Sequence, residues 1–367
     1  MTLLEPGQPI GTNYTVERFL GQGAFAEVYR VKHRYFGRQA MKVFKRIGTV
    51  EETEEMLGEA IMLSQIGHPN IVRVFNADTV STSAGECGFF TMEYVAGGNL
   101  EKFWASHYDR FVPIEVVVQI LKQMCDGLAV AHSETPPIIH RDITPQNVLI
   151  GYDTDGLRVR ISDFGLAKRA DPLTLLASTK GTLAFKAPES LMDRRGDSRA
   201  GDVWAIGTIA YLLLTDTLPY EDSASPSSFF GAQYRTPPRP PQQFNPDVDD
   251  TLGDIVLHSL EPNPRNRVPH AGALGAQFAA WLSRRELRPV RESRKLPQTS
   301  KEALGGAHSP VDEARARSLA TRALDLSGQA SSLNEAADVM EEAFNLFAPL
   351  RTEYEHKLTL WRKGVVG

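Results

Sequence analysis

Over roughly the first hundred positions apolar and polar residues alternate, and beyond them the apolar spacing shifts to three and four. Tyr14–Leu20 (YTVERFL) alternates and runs into a glycine cluster, and Glu27–Val31 and Gln39–Phe44 repeat the pattern of half-buried strands. Met56, Ala60, Leu63 and Ile66 fall three or four apart, which predicts one helix over 51–66. Two more strands are expected near Ile71–Ala77 and Phe89–Tyr94, and Gly97-Gly98 then punctuates the chain. From Leu100 helices take over. Pro113 is placed in the first turn of a long helix reaching about His132, and further helices fall near Asp202–Leu214 and Asp250–Leu260. The stretch 138–190 reads as loop-rich.

Residues 284–310 form a polar, basic linker, and 311–367 read as a separate helical module. Asp312–Leu326 predicts a helix stopped at Gly328. Ser332 with Glu335 three residues on makes a capping box. Leu333, Ala336, Met340, Ala343/Phe344 and Phe347 then share one face, and Pro349 opens a third helix carrying Leu350, Tyr354, Leu358 and Trp361. So small a unit is marginal alone and needs another surface, so it is expected to dock on a protein partner or on the chain's own helical part. The Pro-rich segment Thr236–Pro246 reads as a rigid connector rather than a ligand for an SH3-like module.

Composition narrows the classes without naming one. The chain has 367 residues, 42% apolar and 23% charged, which argues against wholesale disorder. With 40 basic and 45 acidic residues the net charge is -5, so nothing global points to nucleic acid. Two cysteines, Cys87 and Cys125, are too few for a disulfide framework and lie outside any metal-ligand spacing; Cys125 reads as core. The longest apolar run, Val203–Leu214, has 12 residues, short of the roughly 18 a membrane span needs, and reads as a buried helix. The N-terminus shows no basic stretch followed by an apolar one, so a cytoplasmic location is expected.

Three signals carry chemistry. Gly21-Gln22-Gly23-Ala24-Phe25-Ala26-Glu27-Val28 follows a predicted strand, and its glycines let backbone N–H groups approach phosphates. It lacks a Gly-Lys-Ser/Thr ending and precedes a strand, which disfavours a P-loop or dinucleotide fold. Lys42 sits inside the apolar strand Ala40-Met41-Lys42-Val43 and needs a partner or ligand, which Glu59 on the following helix can supply. The third signal is His140-Arg141-Asp142-Ile143-Thr144-Pro145-Gln146-Asn147, then Asp163-Phe164-Gly165, Gly181-Thr182, Ala187-Pro188-Glu189 and Asp202-Val203-Trp204.

With these motifs in this order, the sequence resembles the eukaryotic-like, bacterial-type serine/threonine protein kinases. The resemblance implies an α+β, bilobal protein kinase fold over 11–283. An antiparallel N-lobe would span about 11–95 and a helical C-lobe about 97–283, with ATP in the cleft between them and a C-terminal α-helical extension. It implies ATP-dependent phosphorylation of protein Ser/Thr hydroxyls with Mg²⁺, or Mn²⁺ as the alternative ion. By the same resemblance Lys42 holds the α- and β-phosphates and Glu59 fixes its ammonium. Asp163 and Asn147 bind the metal, Asp142 takes the hydroxyl proton, and Thr182 completes the catalytic set. Leu20, Gly21, Gln22, Gly23, Ala24 and Phe25 cover the phosphates. Val28, Ala40 and Leu149 sandwich adenine, whose edge meets backbone groups of Glu93 and Val95 with Met92 as gatekeeper, and Asn99 reaches the ribose. His140, Phe164 and Leu63 stack, Asp202 anchors the catalytic loop, and Arg267 pairs with Glu189.

One position departs from the pattern. Thr144 stands two after Asp142, where most relatives in this class carry a lysine that touches the transferred phosphate. Arg141 implies a basic pocket for a phosphorylated loop, with Ser178 and Thr179 as the candidate acceptors. The competing readings are a pseudokinase or signalling scaffold whose tail binds a partner protein, and a small-molecule phosphotransferase. The second should lack the Gly181-Thr182…Ala187-Pro188-Glu189 segment.

Overall fold

A computed structural model describes residues 2–23, 26–45, 66–83, 85–107, 111–164, 182–192, 196–220, 234, 236–285, 310–347 and 349–366. The expected helix over 51–66 lies, but for Ile66, outside them, as does most of the linker. The chain divides into two compact units, Met1–Val95 and Ala96–Gly367.

The first unit is built on a six-stranded antiparallel sheet: β1 (Pro9–Ile10), β2 (Tyr14–Gln22), β3 (Ala26–His33), β4 (Gly37–Phe44), β5 (Val74–Thr82) and β6 (Gly85–Glu93), in the order β1-β2-β3-β4-β6-β5. Alternation puts Tyr14 and Val16, Tyr29 and Val31, Met41 and Val43, and Cys87 and Phe89 into one apolar cluster with Leu4 and Ile10. β5 starts at Val74, three residues later than its expected start at Ile71, because Ile71 forms only an isolated bridge after the His68–Asn70 turn.

In the second unit the described helices are α1 (Leu100–Ala105), α2 (Ile114–Ser133), α3 (Pro188–Met192), α4 (Arg199–Thr215), α5 (Asp250–Ser259), α6 (Ala271–Arg285), α7 (Pro310–Leu326), α8 (Leu333–Leu346) and α9 (Pro349–Arg362). The apolar run 203–214 lies in α4, whose side chains are buried on all faces, so it is a core helix. Its start is capped by Ser198, whose hydroxyl accepts from Gly201 N at 3.1 Å. α2 buries Val117, Val118, Leu121, Met124, Cys125 and Leu128, and Gly275 of α6 lets the two helices close on Cys125. Burial pushes the Cys125 thiol strongly upward, which leaves it an unreactive core residue. The Pro-rich segment lies against α4, with the Arg239 carbonyl accepting from Tyr211 Oη at 2.8 Å.

Three local expectations change. Pro113 precedes α2 as its cap residue and is not inside the first turn. The stretch read as loop-rich contains a hairpin, β7 (Val148–Asp153) and β8 (Gly156–Ile161), turned at Thr154-Asp155, with Gly156 at φ +103° where β8 begins. The capping box at Ser332 does not form: that residue closes a short 3₁₀ turn and its hydroxyl makes no capping bond.

The C-terminal helices share their core with this hairpin. Ala316, Ala320, Ala323, Met340, Phe344 and Trp361 cluster with Tyr152 of β7, and Leu157 of β8 packs against them. Arg351 lays its guanidinium over Phe103 of α1 at 4.2 Å from the ring centroid. Asn345 Nδ2 donates to the Ala96 carbonyl at 3.2 Å, and Gly97 leaves room for Glu341, whose Oε2 would stand 3.1 Å from a Cβ there. The tail thus docks on the large unit of its own chain.

Candidate active site

Asp202, near the start of α4, gathers the loop 140–147. One carboxylate oxygen accepts from the backbone N–H of His140 and from His132 Nε2, each at 2.9 Å, and the other accepts from the Arg141 N–H at 2.9 Å. Arg141 is thereby held at φ +70°, a left-handed conformation that costs a non-glycine residue energy and is retained where surroundings enforce it. The His140 ring is fully buried and packs on Phe164 with centroids 4.5 Å apart. Its Nε2 lies 2.9 Å from the Ser162 carbonyl and its Nδ1 accepts from Asp142 N at 3.2 Å. Burial lowers its pKa, against the opposing pull of Asp202, and a neutral ring protonated on Nε2 meets both bonds.

Asp142 is half-buried. Asn147, in the 3₁₀ turn Pro145–Asn147, donates Nδ2 to the Asp142 carbonyl at 2.8 Å and to its Oδ2 at 3.2 Å. The amide nitrogen is spent on the loop, so the amide oxygen is the atom that Asn147 offers to a cation. Ser162 N and Oγ both donate to the Asn147 carbonyl, which fastens the end of β8 to this turn. Next comes Asp163 at φ +63°. One carboxylate and one amide oxygen are hard donors of the number Mg²⁺ takes when phosphates complete its shell. Among the described residues no group of three or more metal-binding side chains exists.

Lys186 Nζ stands 3.3 Å from Asp142 Oδ1 and donates to the Arg141 carbonyl at 2.5 Å. Sequence reasoning missed this residue; its signal was a lysine directly before Ala187-Pro188-Glu189. Thr144 is buried, and of Thr182 only the backbone is described, at the start of a short 3₁₀ turn. Arg141 Nε lies 3.3 Å from Asp197. Leu149 lies in β7 bridged to Asn99, whose side chain caps α1 by accepting from Lys102 N at 3.0 Å.

The remaining expected residues belong to the first unit. Lys42 is buried in β4, opposite Val28 of β3 and Phe90 of β6. Ala40 pairs with Met92, and Gln39 with Glu93, whose N–H also bonds the Arg73 carbonyl at 2.9 Å; Val95 follows the strand. Leu20, Gly21 and Gln22 end β2, and Gly23 N bonds the Ala26 carbonyl at 2.8 Å to close the glycine turn. Lys45, also missed, donates to the Gly23 carbonyl at 2.9 Å and to Gln22 Oε1 at 3.1 Å. Ala24, Phe25, Glu59, Leu63, Gly165, Ser178, Thr179 and Gly181 lie outside the described residues.

Residues 14–279 match the protein kinase domain. The chain belongs to the protein kinase family. It is 34% identical over 262 residues to the serine/threonine-protein kinase Pkn1 of Myxococcus xanthus, covering 70% of this chain and 36% of that protein. It is 32% identical to CBL-interacting protein kinase 4 of rice, covering 71% of this chain and 56% of that one. The chain thus spans about a third to just over half of these relatives. The solved kinase domain of Mycobacterium tuberculosis PknI superposes with a TM-score of 0.55 at 23% identity, covering 76% of this chain and 99% of that one, which shows the fold. No helix among the described residues is long and apolar enough to cross a membrane.

Proposed function

We propose that this chain is an ATP-dependent serine/threonine protein kinase. The observation that carries the reading is the hold of Asn147 on Asp142. One amide donor fixes the carboxylate that takes the substrate proton, and the same amide keeps its oxygen for a cation. In the transfer the substrate hydroxyl oxygen bonds the γ-phosphorus as the bond from that phosphorus to the β–γ bridging oxygen breaks. ADP leaves with the electron pair and the proton goes to Asp142. Asn147 and Asp163 would hold Mg²⁺, with Mn²⁺ as the alternative, and the bound ion supplies charge neutralisation at the phosphates. Lys42 steadies the α- and β-phosphates with Glu59 as its partner, and Thr182 supports Asp142. The glycine turn Leu20–Phe25, closed by Gly23 and braced by Lys45, covers the phosphates. Val28, Ala40 and Leu149 hold adenine beside Met92, and the Glu93 carbonyl and the Val95 N–H meet its edge. Asn99 is spent on capping α1, so its part at the ribose is secondary.

The alternative of an inactive scaffold is disfavoured because the proton acceptor and both metal donors are present, and Asn147 holds Asp142. The domain limits expected from the sequence, 11–283 with a linker to 310, stand as part of this proposal, with 311–367 acting on the chain's own large unit. Protein substrates, loop phosphorylation at Ser178 or Thr179 and a cytoplasmic setting belong to it as well. The test is phosphosite mass spectrometry after incubation with ATP and Mg²⁺, beside an Asp142→Ala control. Phosphoserine or phosphothreonine in the wild type alone supports the reading; equal incorporation in the control overturns it.

A further inference from the structure

Thr144 leaves the catalytic loop without a cation two residues after Asp142. The structure places one beside Asp142 from another segment. Lys186 Nζ faces Asp142 Oδ1, while Asn147 holds Oδ2, so each oxygen of the proton acceptor has its own partner. A second ammonium donor is anchored on the Arg141 carbonyl, inside the left-handed turn that Asp202 enforces. An ammonium carries three donors, so one remains for an acceptor that the substrates bring.

The segment carrying this lysine is fastened on both sides. Lys186 N bonds the Leu183 carbonyl at 3.1 Å, and Ser190 N bonds that of Ala187 at 3.0 Å. Three residues on, Glu189 is gripped by Arg267 through two parallel bonds of 2.7 and 3.0 Å. The side chain of Lys186 is only 14% exposed, so its charge acts on Asp142 with little solvent between.

We propose that Lys186 is a positioning residue for phosphoryl transfer: it orients Asp142 and delivers to the proton-accepting side of the site the positive charge that position 144 lacks. In the step written above, negative charge gathers on the transferred group while Asp142 receives the hydroxyl proton. A fixed cation beside that carboxylate favours the step without reorganising. This rests on the kinase reading and extends it, because it moves a chemical task from the loop 140–147 to the segment before Ala187-Pro188-Glu189.

The experiment uses the full chain with ATP, Mg²⁺ and a generic acceptor protein such as casein. It compares wild type, K186M, K186R, T144K and the double variant T144K/K186M, with D142N as the blank. The expected result for K186M is a fall in kcat of about 10–100-fold with the KM for ATP nearly unchanged. K186R should retain most of the activity, and T144K in the K186M background should restore at least about tenfold, because a cation returns to the loop that carries Asp142. Wild-type kcat in K186M overturns the proposal, as does a loss that neither K186R nor T144K repairs, which would make the lysine a backbone clamp for Arg141 alone. A wild type no more active than D142N would instead overturn the kinase reading itself.

Discussion

Arg267 and Glu189 meet as a two-pronged pair, Nη1 to Oε1 at 2.7 Å and Nη2 to Oε2 at 3.0 Å, with the arginine side chain 0% exposed. The same guanidinium also donates to the carbonyls of Ala200, Glu261 and Pro262 and lies over Trp204. Removing one partner of a buried pair leaves a charge with nothing to offset its desolvation. Arg267→Ala is expected to lower unfolding stability by about 3–5 kcal/mol. Arg267→Lys, which keeps the charge and loses the fork, should fall between. Urea unfolding of the three proteins measures this; a change within experimental scatter for Arg267→Ala would show the pair to be incidental.

Glu341 gives the tail a pH response. Burial raises its carboxyl from an ordinary 4.5 to about 7, against the pull of Arg362, which it shares with Asp338. Between those values the folded chain keeps a proton that the unfolded chain has lost. The contribution of Glu341 to stability therefore declines as pH rises from about 4.5 to about 7 and is level outside that window. Glu341→Gln should flatten this slope, as read by thermal unfolding at pH 5, 6 and 7.

Packing at the junction is testable by adding one methyl. A Cβ at Gly97 would stand 2.1 Å from the Ile150 carbonyl oxygen, a backbone atom that has no room to yield. Gly97→Ala should destabilise the large unit by about 1–3 kcal/mol. From the opposite side, Phe344→Ala empties the space beside Tyr152 and should cost about 3–5 kcal/mol. Equal melting temperatures for wild type and both variants would refute the tail's docking.

Removal of the divalent ion should separate binding from transfer. With Asp163→Asn, or with excess EDTA, phosphate incorporation should drop to background while the circular dichroism spectrum stays that of the wild type. Full activity in EDTA would exclude Asn147 and Asp163 as metal donors.

Much of this was legible in the sequence because β2 and β3 show a face of period two and α8 a stripe of period 3.6. The strand pattern through Tyr14, Val16, Tyr29 and Val31, and the stripe through Leu333, Met340 and Phe344, became core as their spacing predicts. The hairpin at 148–161 escaped because its strands are six residues each and sit among motif residues that resemble a loop. Ser332 and Glu335 had the letters of a capping box, but the 3₁₀ turn before α8 had already set the backbone away from capping geometry. At the site, the loop 140–147 was readable from its order of residues. The approach of Lys186 to Asp142 was not, since it joins positions 44 apart through a backbone path that no local pattern encodes.

Because Tyr152 and Leu157 complete the tail's core, the polypeptide joining the two parts acts chiefly through effective concentration. Glycine–serine inserted between 286 and 309 should then be nearly silent, with each doubling of the connecting length costing only about 0.6 kcal/mol. The same surface sets a second expectation. A chain severed in that stretch should leave its C-terminal helices bound, and the two fragments should co-elute as a heterodimer.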